Sequence, residues 1–327
     1  MRIVRFFVYI FGIAAFLAMT TGYLGSLHPA FDSIGHFRIH IALATLLSGC
    51  IIVLARGFLG GVALIVSAAL VLWTTIMPLS GQKNAAIDAG NGPVYRLLQS
   101  NLRFSNLTPD AFLRLVGEVK PDVITVQEVS RIWPSKFNQI KHLYPYQLIC
   151  PGSEIMGPVA IISRRPFVAG DSGKCLQGSI LAIQSIDFGG QTVTVAAIHL
   201  RWPWPGRQPR QINDMLPSLA PLNVQDHGVL IAGDLNAATW SHTAKLISET
   251  TGTEAVHYSG GSWAPLELPS QLTPFIGLPL DNIFHNDKAK IRSIVRQQNM
   301  GSDHLPLLVE FTLPSIKTDS EPDQAAS

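Results

Sequence analysis

The chain has 327 residues, 47% hydrophobic and 14% charged, with a formal net charge of +2. Apolar residues concentrate in the first quarter, so the mean hydropathy of +0.27 averages a membrane-like part with an ordinary globular part. Setting aside Arg2, Arg5, Arg38, Arg56 and Asp32 from the totals of 24 basic and 22 acidic residues leaves 20 against 21, a balance that argues against generic duplex binding but allows a local basic patch.

Three nearly uncharged runs open the chain, at about residues 6–24, 39–55 and 58–79. Each is close to the roughly 20 residues that cross a bilayer core. Soluble core helices would show a polar face, and these runs have almost none. A cleaved signal peptide is a poor reading of the first run, because it is long and Ala18-Met19-Thr20-Thr21 is a weak cleavage site. Arg2, Arg5 and Arg56 flank one side of the three spans, Arg38 and Lys83 the other. That bias predicts a cytoplasmic N-terminus and an outer domain after about Gly81, in the periplasm of a bacterial inner membrane. His28, His36 and His40 cluster before the second span, where interfacial histidines are a better reading than a metal site.

The expected organisation is a membrane domain at 1–80, a Gly-rich linker at 81–92, one domain at 93–313 and a polar, disordered tail at 314–327. Within 93–313, strands are predicted at 94–99, 123–126, 146–149, 159–163, 180–188, 193–199, 229–232, 280–284, 291–298 and 305–312. Helices are predicted at 108–119, 133–143, 208–219 and 241–250, the first from Thr108-Pro109 as cap and first helical position. Hairpins mixed with crossover helices predict an α/β (α+β type) fold, two packed mixed β-sheets with helices outside. Cys50 reads as a small apolar residue of the second span. Cys150 and Cys175 leave two readings open, a disulfide in an oxidising compartment or separate buried thiols. No Cys/His spacing suits zinc.

Four segments place polar groups at or just past predicted strand ends: Gln99-Ser100-Asn101, Gln127-Glu128, Gly233-Asp234-Leu235-Asn236 and Gly301-Ser302-Asp303-His304, with His199-Leu200 between the second and third. Phosphodiester hydrolysis needs a cation on the non-bridging oxygens, an activated water and help for the leaving oxygen. Hard cations such as Mg²⁺ or Mn²⁺ take carboxylate and amide oxygens. Glu128, Asn101 and Asp303 are therefore the candidate metal residues. Asp234 and Asn236, two apart on an extended segment, face the same way and suit one water. His304, cationic if Asp281 partners it, suits the growing phosphorane charge, and His199 suits a second hydrogen bond or a general acid.

In kind and in order these residues resemble the endonuclease/exonuclease/phosphatase family, the deoxyribonuclease-I-like superfamily. The stretch Gly157-Pro158-Val159-Ala160-Ile161-Ile162-Ser163-Arg164 joins the resemblance, which covers about 94–311. It implies a four-layer α/β sandwich, with Asn101, Glu128 and Asp303 near the metal, Asp234 and Asn236 at the water, and Asp281 orienting His304. The abasic-site nuclease branch has Tyr where this chain has Ala196, so abasic-site repair is not expected. The deoxyribonuclease branch pairs its first His with a Glu, for which Glu154 is a loose accessory candidate. Joined to the three apolar runs, the resemblance implies a membrane-anchored, Mg²⁺- or Mn²⁺-dependent phosphoesterase acting on nucleic acid or a phospholipid headgroup. The alternative is a catalytically silent membrane-bound scaffold or signalling module on the same fold. The Trp202/Trp204 loop after His199 suits substrate contact, a sheet-edge cover or the lipid interface.

Overall fold

The computed structural model describes residues 2–85, 92–151, 157–176, 178, 180–258 and 260–314. The chain begins with α1 (Arg2–Thr21), α2 (Pro29–His36), α3 (Arg38–Leu54) and α4 (Phe58–Ala85). Then come β1 (Val94–Asn101), α5 (Pro109–Val119), β2 (Val123–Gln127), α6 (Trp133–Gln139), β3 (Tyr146–Ile149), β4 (Ala160–Ser163), β5 (Lys174–Cys175), β6 (Leu181–Asp187) and β7 (Thr192–His199). The last elements are α7 (Gln208–Leu219), β8 (Gly228–Asp234), α8 (His242–Thr251), β9 (Glu254–Ala255), α9 (Thr273–Ile276), β10 (Asp281–His285), β11 (Lys290–Arg296) and β12 (Leu307–Thr312).

The strands form two sheets of six, ordered β11-β12-β1-β2-β4-β3 and β5-β6-β7-β8-β10-β9. Only β1–β2 and β7–β8 are parallel among the strand pairs described. Both sheets are covered on both faces, so their central strands are apolar throughout rather than alternating. Leu97, Val123 and Ile161 of the first sheet meet Val195, Leu230 and Ile283 of the second in the central core. Their chain neighbours point the opposite way, as strand geometry requires. Leu98 and Ile124 pack under Phe112, Trp133 and Phe137 of α5 and α6. Ile198 and Ile231 pack under Ile212 and Met215 of α7 and Ile247 of α8. The result is the expected stack of helix, sheet, sheet and helix.

Two expectations need correction, and a third is met only in part. The helix predicted at 133–143 ends at Gln139; Pro145 disfavours helix at Tyr144, whose hydroxyl donates to Pro121 O at 3.0 Å and draws the chain into the core. α4 continues to Ala85, over the first five residues of the predicted linker, and 86–91 lie outside the described residues. The N-terminal region has one helix long and apolar enough to cross a membrane, Phe58–Met77, with mean hydropathy 2.1. The apolar part of α1 is shorter, and α2 and α3 together pass the same test only as a pair bent by 68°. α3 and α4 touch backbone to backbone: a Cβ on Gly49 would lie 2.8 Å from Gly61 O, and one on Gly61 would lie 2.7 Å from Gly49 O. Small residues at such crossings are characteristic of helices packed in lipid. The predicted tail lies outside the described residues, apart from its first position, Pro314.

Candidate active site

Sheet register gathers the site. Parallel pairing of β7 and β8 sets His199 opposite Asp234, and antiparallel pairing of β8 and β10 sets Asp281 opposite the same Asp234. In the other sheet, Asn101 ends β1 opposite Gln127, and Glu128 follows at once. Glu128 turns out of the strand with φ 58, a left-handed conformation that costs a non-glycine residue energy. Gly157 makes room for it: a Cβ there would fall 2.7 Å from the Glu128 Cα.

Asn101 ties the sheets together. Its Nδ2 donates to Glu128 Oε1 and to Asp234 Oδ2, both at 2.9 Å. Its Oδ1 accepts from Arg103 N at 2.9 Å. The amide nitrogen, rather than the expected oxygen, therefore faces the carboxylates. Phe104 N donates to Glu128 Oε2 at 2.6 Å. Asn236, also left-handed at φ 47, donates its N–H to Asp234 Oδ1 at 2.8 Å. Its side-chain nitrogen donates to Leu200 O at 2.8 Å and to Asp234 Oδ2 at 3.2 Å. Asp234 is wholly buried, and that burial pushes its carboxyl up to about 7.

His304 Nδ1 lies 2.8 Å from Asp281 Oδ2, and its Nε2 lies 3.6 Å from Asp234 Oδ2. Burial alone would push this imidazole down; Asp281 and Asp234 reverse it and hold it at about 10, so the ring is cationic at neutral pH. Asp281 is itself fixed: Gln99 Nε2 donates to its Oδ1 at 2.8 Å, and Tyr258 OH donates to its carbonyl at 2.7 Å. Ser302 Oγ donates to Asn101 O at 2.8 Å and accepts from His304 N at 3.1 Å, tying the His304 loop to β1.

One ligand atom each from Glu128, His199 and Asp234 lies within 4.8 Å of the others, and Asp234, Asp281 and His304 form a second such group. The second is an imidazole–carboxylate dyad by its hydrogen bond. The first suits a cation, because two carboxylates share one donor amide and Glu128 keeps an exposed edge. A cleft of about 460 Å³ opens over it, lined by Glu128, His199 and Asn236 and walled by Phe104, Trp202 and Pro205.

Seven of the predicted residues thus meet in one cluster of polar contacts at the floor of the cleft: Asn101, Glu128, His199, Asp234, Asn236, Asp281 and His304. Asp303 sits at its edge, half-buried, where its Oδ2 accepts from Trp263 Nε1 at 3.0 Å, and it belongs to neither cluster. Glu154 lies outside the described residues. The three N-terminal histidines separate: His28 Nδ1 accepts from Ala30 N, His36 packs on Trp202, and His40 reaches Ile276 O. Sequence reasoning gave no role to Gln99, Tyr258 or Trp263. Gln99 was findable, two residues before Asn101 on the same strand face. Tyr258 and Trp263 carry no motif.

The profile described as Endonuclease/Exonuclease/phosphatase family matches residues 98–304. UPF0294 protein VV2535 of Vibrio vulnificus (strain YJ016) is 34% identical over 131 residues, 39% of this chain and 42% of that protein, so the match spans less than half of that relative. The human Nocturnin catalytic domain with bound sulfate anion is similar with a TM-score of 0.52 and 17% identity, over 68% of this chain and 96% of that one. The endonuclease/exonuclease/phosphatase from Bacteroides vulgatus gives 0.54 and 14%, over 68% and 100%. D. rerio TDP2 complexed with single strand DNA product gives 0.51 and 17%, over 67% and 99%. At such identities the structural likeness carries the fold alone. The matched span opens in β1 just before Asn101 and closes on His304, bracketing the whole pocket, and the chain belongs to the endonuclease/exonuclease/phosphatase family.

Proposed function

We propose that this chain is a membrane-anchored, divalent-metal-dependent hydrolase that cleaves a phosphodiester. The observation that carries the reading is the position of Asp234, with His304 Nε2 at 3.6 Å, His199 Nε2 at 3.7 Å and the Asn101 amide at 2.9 Å. A buried carboxylate held between two imidazoles and amide donors is placed to take a proton from water. The Asn236 N–H holds one of its oxygens in place while it does so. Glu128, with Asn101 beside it, is the residue that would hold Mg²⁺ or Mn²⁺. When bound, such a cation supplies charge neutralisation on the phosphate oxygens. Cationic His304, locked by Asp281, stabilises negative charge on the transferring phosphoryl group. His199 reaches the same space and protonates the leaving oxygen.

A headgroup-sized phosphodiester is favoured over a polynucleotide. The cleft walls are aromatic and apolar at Phe104, Trp202 and Pro205, with Arg201 the lone arginine or lysine among the lining residues. Strand-tracking grooves carry a run of basic groups instead. The anchor we propose is three spans, α1, α3 and α4, with α2 lying against the catalytic domain, the N-terminus in the cytoplasm and the catalytic domain in the bacterial periplasm. Support comes from the apolar outward faces of these helices at Phe11, Leu47, Leu59 and Leu70. It also comes from the Cys150–Cys175 disulfide, with Cα–Cα 5.5 Å, a bond that persists in oxidising compartments.

The purified full chain should hydrolyse bis(p-nitrophenyl) phosphate with Mg²⁺ or Mn²⁺ and lose turnover with chelator. His304→Ala should cost about 10²–10⁴-fold in kcat in a chain that still folds. Absence of turnover from the folded wild type with each metal would favour the silent-scaffold reading.

A further inference from the structure

The N-terminal region grips the catalytic domain through α2. Asp32 Oδ1 accepts from His242 N at 2.8 Å, and Oδ2 accepts from Thr243 N at 3.3 Å, at the start of α8. Trp240 Nε1 donates to Gly35 O at 2.8 Å. Ser33 Oγ donates to Trp204 O at 3.2 Å and accepts from Trp204 N at 3.1 Å, in the loop that walls the cleft. His40 Nε2 donates to Ile276 O at 2.9 Å. Contacts on three separate segments fix the orientation of the catalytic domain against α2 and the start of α3.

The last contact leads to a surface unlike the rest of the domain. Segment 264–277 leaves the body of the domain at Trp263 and returns at Leu278, and these two residues pair with each other. Trp263 also pairs with His304. The loop they close carries exposed Leu266, Leu268, Leu272, Phe275 and Ile276, with Phe275 82% exposed. Its only charged residue is Glu267. Single exposed apolar side chains are ordinary, but five in one short loop mark a contact surface. His40 is the third residue of α3. A helix rises about 1.5 Å per residue, so the loop reaches the level of the first turn of α3. There it lies beside an apolar helix whose own flank shows Phe37 to the outside.

We propose that segment 264–277 is a lip that enters the lipid bilayer beside α3, so that the cleft opens at the membrane surface. Lipid is the occupant because the loop is continuous with helices whose exposed faces are themselves apolar, and the α2 contacts hold it there. The pairing of Trp263 with His304 puts the base of the lip on the catalytic loop. The proposal rests on the reading that α3 and α4 lie in a membrane, and the test separates the two.

Single cysteines are placed in the full chain, in a Cys50→Ala background, at Phe275, at Leu70 of α4 and at Val224. Val224 lies at the far end of α8, next to Asn223, which closes on Gly252. Each is labelled with bimane and reconstituted in phosphatidylcholine/phosphatidylglycerol vesicles. Quenching by doxyl-labelled phosphatidylcholine is compared with quenching by aqueous iodide. The expected result is several-fold stronger lipid quenching at Phe275→Cys and Leu70→Cys, and iodide quenching at Val224→Cys. Lipid quenching at Leu70→Cys with iodide quenching at Phe275→Cys overturns the lip and leaves the anchor. Iodide quenching at Leu70→Cys overturns both. Shielding of Phe275→Cys from both quenchers means protein covers the loop, and it too overturns the proposal.

Discussion

His304 owes its charge to neighbouring carboxylates, Asp281 first among them, and the dependence has a sign that can be worked out. The ordinary imidazole value is 6.5, and in the fold it is about 10. A raised value means the charged ring contributes its stabilisation in full below 6.5 and loses it as pH rises through 10. Activity that needs the cation should therefore persist to an alkaline limb near 10. Asp281→Asn removes the carboxylate 2.8 Å away and leaves burial opposed only by the weaker pull of Asp234 and Asp303. That limb should then move down by about 2 units or more, read from pH–rate profiles on bis(p-nitrophenyl) phosphate. An unmoved limb would assign it to another group. Asp281, Asp234 and His304 were legible in the sequence because each follows or opens an apolar β-run. The orientation of Asn101 was not, since residue type does not say which end of an amide faces a neighbour. Glu128→Gln tests the metal assignment at this scale: it should weaken Mg²⁺ activation about 10-fold or more, measured as the cation concentration for half-maximal rate, with unfolding little changed.

α8 starts with two caps. Ser241 Oγ accepts from Ala244 N at 3.0 Å, as its position before the helix predicts. Asp32 supplies the other from 210 residues away, accepting from the His242 and Thr243 backbone and adding negative charge at a helix N-terminus. Asp32→Ala should therefore destabilise the full chain by about 1–2 kcal/mol in detergent, by thermal unfolding, while Asp32→Asn, which keeps an acceptor, should cost less. Equal costs would mean that the charge, not the cap, matters. The long strands and α5, α7 and α8 were legible because period and capping are local. α7 ran over its predicted residues, and Tyr146–Ile149 over its own. β5, β9 and α9 were not foreseen, since two to four residues hold a conformation only when a neighbour pairs with them. α2 had local signals in Pro29 at its start and Asp32 in its first turn, hidden between two strongly apolar runs.

At the scale of the molecule, the layer order follows from apolar strands that must be covered twice, and it was readable in advance. The docking of α2 on the catalytic domain was not, because contacts such as Ser33 with Trp204 have no periodic trace in the sequence. The proposed orientation in a membrane joins the charge pattern of the apolar N-terminal helices to the thiol chemistry of the domain after them, and one experiment on cells reads both. If the N-terminus is cytoplasmic, an alkaline phosphatase fusion after Leu313 should be active and a green fluorescent protein fusion at the same place dark. In the same cells, Cys150 and Cys175 should resist a thiol-alkylating reagent until reductant is added, leaving Cys50 as the one thiol accessible after denaturation. Replacing both outer cysteines with serine should then cost about 2–4 kcal/mol in unfolding. A fluorescent fusion would place the domain in the cytoplasm, where reducing conditions remove the disulfide contribution, and free Cys150 and Cys175 should appear with it. Mixed results, a dark fusion with two free outer thiols, would separate topology from oxidation and leave the charge rule standing without its chemical partner.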